Sequence, residues 1–319
     1  MVLAGSGPAH QPESRWADLD GPVHFLDYGG PAGGPLLVCV HGLGGSAINW
    51  AAVAPVLAGS CRVMALDLAG FGHTRGASRS TSVQANQRLL HRFLTEVAGT
   101  PAILVGNSMG GLISILQAAQ RSDTVAGLVL VDPALPPVLS ARPDPRVFAT
   151  FAAFLVPAVG RRVLSRRRDA TSAEEAAQAL LRLCCADPSR VPSDVVDLHV
   201  ELAGQRREYP DVDSEMLVAA QSLMWVLADR RRFAAMQRSI DVPVLLLHGD
   251  KDRLINIATA RAAAEANPSW QFEVARGVGH APQLEVPQWT VEMVLQWLAD
   301  NPRAADIAAR ARALITDRR

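Results

Sequence analysis

The sequence predicts an α/β protein with a mostly parallel central sheet that is flanked by helices on both faces. Short apolar runs of strand length alternate along the chain with segments of helical periodicity. Several runs are apolar at almost every position, as expected for strands that are buried on both faces, among them PLLVCV, GLVLV and VPVLLL. A length of 319 residues, with 49% hydrophobic side chains, is sufficient for one large domain of this class.

The predicted elements follow one another in a regular order. Residues 1–15 are rich in Gly and Pro and are expected to be disordered. RWADLDGPVHFLDYG then predicts two short strands around an Asp-Gly turn. Further strands are predicted in PLLVCV, RVMALDL, AILVG, GLVLVD, VPVLLLHGD and WQFEVA, and helices over 82–97 and in GGLISILQAAQ and QWTVEMVLQWLADN.

The middle of the chain differs in character from both flanks. Between about Pro133 and Ile240 strand signals vanish, and helical, Arg-rich segments replace them. Because this block separates two predicted sheet strands, we interpret it as a helical insertion. The predicted organisation is an α/β core of residues 16–132 and 241–301, a helical cap of residues 133–240 and a C-terminal helical tail of residues 302–319.

Charge and cysteine content exclude several classes of function. The chain carries 31 basic and 31 acidic residues, so no polyanionic partner such as nucleic acid is indicated. The four cysteines Cys39, Cys61, Cys184 and Cys185 have neither metal-site spacing nor the pattern of a disulfide framework. No signal peptide or membrane-spanning segment is recognisable, so we expect a soluble protein. The cysteines are expected to be reduced, which favours the cytoplasm, and no metal or cofactor is expected.

The stretch LVGNSMGGL contains a serine between two glycines, directly after an apolar run. Gly106 and Gly110 flank Ser108 at a distance of two residues, with a predicted strand before and a predicted helix after. A G-x-S-x-G sequence in this context predicts a nucleophile elbow. The turn would present Ser108 at the carboxyl end of a strand and near the positive end of the following helix.

A serine hydroxyl needs a base within hydrogen-bond distance. Only His199, His248 and His280 follow Ser108 in the chain. His280 lies on the loop between the last strand and the last helix, which is where the base of such a site is expected. His199 falls in the predicted cap, and His248 is interpreted as a neighbouring residue of the site.

The acid is sought between the serine and the histidine. Asp252 lies just beyond a predicted strand in LLLHGDKDRLI and is favoured. Asp250 competes but is expected to cap the turn, and Asp132, at the end of the preceding strand, is the second alternative.

These segments together resemble the landmarks of the α/β-hydrolase fold family. HGLGG, DLAGFGHT, GNSMGG, GDKDRLI and GHAPQLEVP occur in the family's order, and the resemblance covers Val23 to Asn301. It implies Ser108 as nucleophile, His280 as base and Asp252 as the orienting acid. It further implies an oxyanion hole formed by the backbone N–H groups of Leu43 and Met109, with His41, Gly42 and Asn107 as supporting residues.

The serine at the elbow implies acyl transfer. An acyl-enzyme on Ser108 favours hydrolysis of an ester-type bond in a small or lipid-like apolar substrate, as in lipases and other carboxylic ester hydrolases. One alternative is a hydrolase of C–C bonds in ring-fission products, although the Leu43–Ser46 loop and Ala281–Pro282 differ from that subgroup. The other is a non-catalytic receptor on the same fold.

Residues 147–168 combine a fourteen-residue apolar stretch with a basic cluster. A helix of this kind can touch an anionic membrane surface weakly. The favoured interpretation is a cap helix that packs on the substrate cavity, because Pro157 interrupts the helix and the stretch is too short to span a bilayer.

Overall fold

The computed structural model describes residues 11–99, 101–138 and 144–310. Its centre is an eight-stranded sheet in the order β1-β2-β4-β3-β5-β6-β7-β8. β1 pairs with β2 and β2 with β4 in antiparallel orientation. All other neighbouring strands of the sheet, from β4 through β8 in this order, pair in parallel. This architecture confirms the predicted fold class. The strands are β1 Glu13–Asp18, β2 Pro22–Gly29, β3 Leu36–Val40, β4 Arg62–Leu66, β5 Ala102–Asn107, β6 Val125–Val131, β7 Val244–Gly249 and β8 Gln271–Ala275.

The helices cover both faces of the sheet and fill the connections between parallel strands. The predicted helix over 82–97 ends its regular part at Arg92 and continues as a π-helical turn, Phe93–Ala98. The helices are α1 Ala54–Leu57, α2 Val83–Arg92, α3 Met109–Gln120, α4 Pro145–Leu155, α5 Pro157–Ala170, α6 Ala173–Cys184, α7 Ser193–Arg206, α8 Val212–Ala228, α9 Arg230–Arg238, α10 Ile257–Ala266, α11 Pro282–Glu285, α12 Pro287–Asp300 and α13 Pro302–Arg310.

Both ends of the described chain pack against the sheet. β1 begins at Glu13 and pairs with β2, so the prediction of disorder over residues 1–15 is wrong for residues 13–15. Residues 1–10 lie outside the described residues. At the other end, α13 packs against β3, β5 and β6 with Ala304 and Ala308 buried, and residues 311–319 are outside the described part.

The buried strands place alternate side chains in two separate apolar layers. In β3, Leu36, Val38 and Val40 belong to one layer, whereas Leu37 and Cys39 belong to the other. A strand that is buried on both faces must be apolar at every position, which explains the continuous apolar runs of the sequence.

Helices α4–α9 follow one another between β6 and β7 and are called the cap below. α4 ends at Leu155 and α5 begins with Pro157, where the missing N–H of proline is tolerated in the first turn. α6 begins with a capping box in which Ser172 and Glu175 satisfy each other's backbone N–H groups. Among the described residues, no helix is both long enough and apolar enough to cross a membrane.

Candidate active site

Ser108 occupies a strained turn between β5 and α3. Its φ is 53° and its ψ is −119°, a region that L-residues rarely adopt. A Cβ at Gly106 would lie 2.6 Å from the carbonyl oxygen of Gly110, and a Cβ at Gly110 would overlap the carbonyl oxygen of Val40. The two glycines are therefore required sterically, and the turn is the strand–turn–helix structure that the sequence predicts.

Backbone hydrogen bonds hold the strained serine in place. The Ser108 N–H donates to the Val131 carbonyl at 3.1 Å, and the Ala134 N–H donates to the Ser108 carbonyl at 2.9 Å. The side chain is partly exposed and lines a cavity between the sheet and the cap. Such strain persists only where surrounding contacts enforce it, and it marks functional sites.

His280 lies on the loop between β8 and α11, and a buried carboxylate orients its ring. His280 Nδ1 is 2.7 Å from Asp252 Oδ2. The other Asp252 oxygen accepts the N–H groups of Leu254 and Ile255 at 2.7 and 2.9 Å. Burial works to raise the pKa of Asp252, but the charge of His280 and these hydrogen bonds outweigh it and lower the pKa.

The alternative acid, Asp132, does not contact His280. It is fully buried, and its Oδ1 accepts the Gly249 N–H at 2.9 Å. Burial and the neighbouring Asp252 carboxylate raise the pKa of Asp132 well above its usual range. His248 lies beside both acids, 3.5 Å from Asp132 and 3.6 Å from Asp252, and burial lowers its pKa. The pKa of Asp252 is thus lowered and that of Asp132 raised, which favours the ionised form of Asp252 over that of Asp132.

Asp132, His248 and Asp252 could present ligand atoms to a metal ion, since these atoms lie within 4.8 Å of one another. Their hydrogen bonds, however, already occupy several of these atoms. Asp252 Oδ2 is engaged by His280, and His248 Nε2 donates to the Ile255 carbonyl at 2.9 Å. The raised pKa of Asp132 favours its protonated form, which relieves the repulsion between the two carboxyl groups without a cation.

The remaining candidates of the sequence are engaged elsewhere. Asp250 accepts the Gly277 N–H at 2.6 Å and so ties the loop after β7 to the loop after β8. His199 lies on α7 and its Nδ1 donates to the Val195 carbonyl at 2.8 Å. Neither is hydrogen-bonded to Ser108 or His280 in the described part of the chain.

Ser108 and His280 line the same cavity but are not hydrogen-bonded to each other in the part of the chain that the structure describes. Hydrogen bonds of this kind are often long without substrate and tighten in the complex. The structure thus joins His280 to Asp252 directly and places Ser108 in the same cavity.

The loop after β3 approaches the serine closely. A Cβ at Gly42 would lie 2.9 Å from the Ser108 Cβ, so only glycine permits the approach that brings Leu43 to the cavity wall. His41 supports this loop: its Nδ1–H donates to the Gly42 carbonyl at 2.8 Å, and its Nε2 accepts the Leu68 N–H at 3.1 Å. Burial lowers the pKa of His41, so the support is an uncharged imidazole.

Met109 is the first residue of α3, and its N–H belongs to the group of amides that a helix leaves without an internal acceptor. Asn107, on the other side of the serine, uses both hydrogens of its amide. It donates to the Val131 carbonyl at 3.0 Å and to the His280 carbonyl at 3.1 Å. This side chain therefore connects the serine turn to the histidine loop.

Glu285 is a site-supporting residue that the sequence interpretation missed. Its buried carboxylate accepts the N–H groups of Gly279, Ala186 and Asp187 at 2.8, 2.9 and 3.0 Å. Arg190 adds an ion pair at 3.4 Å. Glu285 thus joins the residue before His280 to the segment after α6, about a hundred positions away in the chain, which no local pattern indicates.

The cavity has a volume of about 1010 Å³, at the upper limit of typical ligand sites. Ser108, Asp252 and His280 line it, and charged cap side chains, among them Arg167, Arg207 and Asp213, line it as well. The cap contributes most of the remaining wall, which is largely apolar and includes Phe148, Phe151, Phe154, Leu164, Met216 and Leu223.

A mostly parallel sheet with a strained serine at the end of its central strand defines the class of enzymes built around a nucleophile elbow. The chain belongs to the α/β-hydrolase fold family, whose family model matches residues 35–287. Individual proteins are also similar to the chain.

The human monoacylglycerol lipase ABHD6 is 23% identical over 89% of this chain and 85% of its own length. The pimeloyl-[acyl-carrier protein] methyl ester esterase of Vibrio atlanticus (strain LGP32) is 29% identical over 78% and 88% of the two chains. The crystal structure of a putative lipase from Acinetobacter baumannii AYE has a TM-score of 0.72 at 24% identity and covers 91% of each chain.

Proposed function

We propose that the protein is a carboxylic ester hydrolase that works through an acyl-enzyme on Ser108. The observation that carries the proposal is one apolar cavity that holds both the strained Ser108 and the buried 2.7 Å pair of His280 and Asp252. Nucleophile, base and orienting acid are the groups that acyl transfer requires. Relatives named as monoacylglycerol lipase, lipase and methyl ester esterase support the same reaction class.

The proposed mechanism has two halves. His280 Nε2 takes the Ser108 proton as Oγ attacks the ester carbonyl, and it then protonates the leaving alcohol. In the second half His280 activates a water that attacks the acyl-enzyme and releases the acid. Asp252 holds the proton on Nδ1 and stabilises the imidazolium.

The proposed oxyanion hole consists of the backbone N–H groups of Leu43 and Met109. Leu43 follows the glycine that lies against Ser108, and Met109 opens α3, so both amides belong to segments that border the serine. In other enzymes, loss of one such donor costs about 3 kcal/mol of transition-state stabilisation. His41, Gly42 and Asn107 are assigned to supporting this arrangement.

The proposed substrates are esters with an apolar acyl chain. A cavity of about 1010 Å³ with phenylalanine and leucine side chains on its walls can bury a long hydrocarbon chain, and each buried methylene contributes about 0.8 kcal/mol. The monoacylglycerol lipases among the relatives act on substrates of that kind. We therefore place this chain with lipase-like rather than strongly polar ester hydrolases.

The test is turnover of p-nitrophenyl esters and monoacylglycerols of increasing acyl length. Ser108→Ala abolishes turnover, whereas Ser165→Ala, at a partly exposed serine on α5, retains it. Trapped acyl groups are mapped to the peptide that contains Ser108. Substantial turnover by folded Ser108→Ala contradicts the assignment, and selective binding without turnover points to the receptor alternative. Cleavage of ring-fission diketones in preference to all esters points to the C–C hydrolase alternative.

We also propose a weak contact of the cap with a lipid surface. Three large apolar side chains are more than half exposed on α4 and α8: Phe148 at 63%, Leu155 at 53% and Trp225 at 72%. The Gln221 amide, one turn before Trp225, donates to the Phe154 carbonyl at 2.7 Å, so these side chains lie on packed helices. α5 adds the basic cluster of Arg161, Arg162, Arg166, Arg167 and Arg168.

Flotation with anionic and with zwitterionic vesicles tests this contact. Phe148→Ser combined with Leu155→Ser reduces binding to anionic vesicles, because exposed apolar area and basic charge act together at such surfaces. Val56→Ser, at a valine on α1 that is 58% exposed, is the matched control and leaves binding unchanged. Equal flotation of both variants contradicts the proposal.

We propose a reducing, cytoplasmic location and the division into core, cap and tail given by the sequence. Cys39, Cys61, Cys184 and Cys185 are all free thiols. The cap helices pack on one another, with contacts of α4 with α5 and of α6 with α7. Fractionation of cells that express the full chain tests the location, and limited proteolysis tests the boundaries at residues 133 and 240.

A further inference from the structure

A second serine, outside the cavity, is hydrogen-bonded to a histidine that is itself hydrogen-bonded to an aspartate. Ser14 lies on β1, His24 on β2, and Asp67 directly follows β4. Ser14 Oγ is 2.9 Å from His24 Nε2, and His24 Nδ1 is 2.7 Å from Asp67 Oδ2. The side chains form a continuous Ser–His–Asp chain, and none of these three residues lines the cavity of Ser108.

The hydrogen bonds of Asp67 determine which nitrogen of His24 carries the proton. The buried carboxylate also accepts the N–H groups of Ala47 at 2.7 Å and of His73 at 2.9 Å. Burial works to raise the pKa of Asp67, but the hydrogen bond from His24 and nearby histidines lower it. An ionised carboxylate only accepts hydrogen bonds, so His24 donates from Nδ1, and in the neutral ring Nε2 then accepts the Ser14 hydroxyl. This is the tautomer of a general base.

Packing fixes the imidazole while the serine stays accessible. Trp16 lies opposite His24 in the β1–β2 register, and the two rings are 5.1 Å apart. The His73 ring meets His24 edge-on at 4.8 Å. His24 is only 3% exposed, whereas Ser14 is exposed on the edge strand of the sheet. An accessible hydroxyl thus stands in front of a buried, oriented base.

We propose that Ser14 is a second nucleophilic serine, which accepts an acyl or phosphonyl group from an activated donor such as an aryl ester or a thioester. Ser14 Oγ attacks the acyl carbon while its proton passes to His24 Nε2. The bond to the leaving alcohol, thiol or, from a fluorophosphonate, fluoride breaks, and the leaving group takes the proton from His24. The products are O-acyl- or O-phosphonyl-Ser14 and the free alcohol, thiol or hydrogen fluoride, so no redox partner is required.

The proposal concerns a modification site and not a second centre of turnover. The strained turn, the start of α3 and the loop after β3 all accompany Ser108, whereas Ser14 lies within a strand. Activated donors carry good leaving groups and depend least on oxyanion stabilisation. Ser14 is therefore expected to react once and to retain the group it has accepted.

The experiment uses the full-length Ser108→Ala protein, so that the cavity serine cannot react. It is incubated with a fluorophosphonate and, separately, with p-nitrophenyl acetate, and each serine is followed by peptide mass mapping. Ser165 is the internal reference, since it is a partly exposed serine whose hydroxyl donates to the Arg162 carbonyl and, among the described residues, contacts no histidine. Ser14 is expected to react about 100-fold faster than Ser165, within the range that a positioned general base contributes.

A second variant tests the base. In Ser108→Ala, additional replacement His24→Asn is expected to reduce the reaction of Ser14 by about the same factor, with circular dichroism as the check on folding. Ser14 that reacts no faster than Ser165 overturns the proposal, even if the His24 variant does not fold. Fast reaction of Ser14 that persists in folded His24→Asn overturns the role of the histidine.

Discussion

Replacement of Asp252 by asparagine tests the proposed charge arrangement most directly. Asparagine has the same shape, and its carbonyl can still accept the N–H groups of Leu254 and Ile255. The change therefore removes one negative charge from beside His280 and places an NH₂ donor where Oδ2 accepted the Nδ1–H, while the loop after β7 keeps its hydrogen bonds. Asp132→Asn is the matched control, because it makes the same chemical change in a neighbouring buried acid that bonds to Gly249 instead.

The magnitude follows from the distance and burial of the pair. A 2.7 Å hydrogen bond between His280 Nδ1 and Asp252 Oδ2 separates the two charge centres by roughly 4 Å once the imidazole is protonated. At the effective dielectric constant of about 20 that suits such sites, the attraction is about 4 kcal/mol. One factor of ten in rate corresponds to about 1.4 kcal/mol, so kcat should fall about 1000-fold.

The assay is steady-state hydrolysis of a p-nitrophenyl ester, with kcat and KM determined separately. KM should change little, because Asp252 lies behind the imidazole and stabilises charge that forms only in the transition state. Asp132→Asn should lower kcat less than about threefold, since it removes no interaction with His280. Thermal unfolding of both variants shows whether they are folded.

Two results would refute the reasoning. A folded Asp252→Asn enzyme with nearly full kcat would mean that its charge does not stabilise the imidazolium. A large loss in Asp132→Asn together with a small loss in Asp252→Asn would reverse the assignment of the acid.

Three further expectations concern the site and its support. Because the folded pKa of Asp132 is raised, its stabilising effect is complete below the unfolded value of about 3.9 and is lost as the pH rises through the folded value. Urea unfolding should therefore show Asp132→Asn gaining stability relative to wild type as the pH rises above about 4, and a constant difference would contradict this. Glu285→Gln, which presents an NH₂ donor among N–H groups, should lower kcat about 10- to 100-fold with a smaller change in KM, and Glu285→Asp should recover part of the loss. An equal loss in both variants would show that the carboxylate is not what positions the loop. Gly110→Ala, whose Cβ would overlap the Val40 carbonyl, should lose at least about 3 kcal/mol of unfolding free energy or fail to fold, whereas Gly33→Ala, which meets open space, should stay within about 0.5 kcal/mol.

Local sequence patterns predicted most of the sheet and its helices because the central strands are buried on both faces. The central strands are apolar throughout, and Pro157 separates α4 from α5 as its missing N–H requires. The start of the first strand was harder to predict from the sequence. Glu13, Ser14 and Arg15 are polar and exposed, and they form a strand because they pair with β2, not because they are buried.

The site was predictable to the extent that its geometry is local. The turn around Ser108 follows from two glycines within five residues. Asp252 lies on the loop after β7 and His280 on the loop after β8. The choice between Asp252 and Asp132 depends on hydrogen bonds between separate strands. Glu285 was missed for the same reason, since its partners come from a cap segment far away in the sequence.

The Glu285 carboxylate also bears on how the cap can be exchanged. His280 N–H donates to the Cys184 carbonyl, and Glu285 accepts N–H groups of Ala186 and Asp187, so the segment after α6 is part of the wall that positions the histidine loop. A graft that replaces residues 133–240 as an independent module would remove these partners together with the specificity-determining walls. A chimaera that keeps residues 184–190 from this chain retains these hydrogen bonds. Recombination points for cap segments with new substrate ranges therefore belong on either side of residues 184–190.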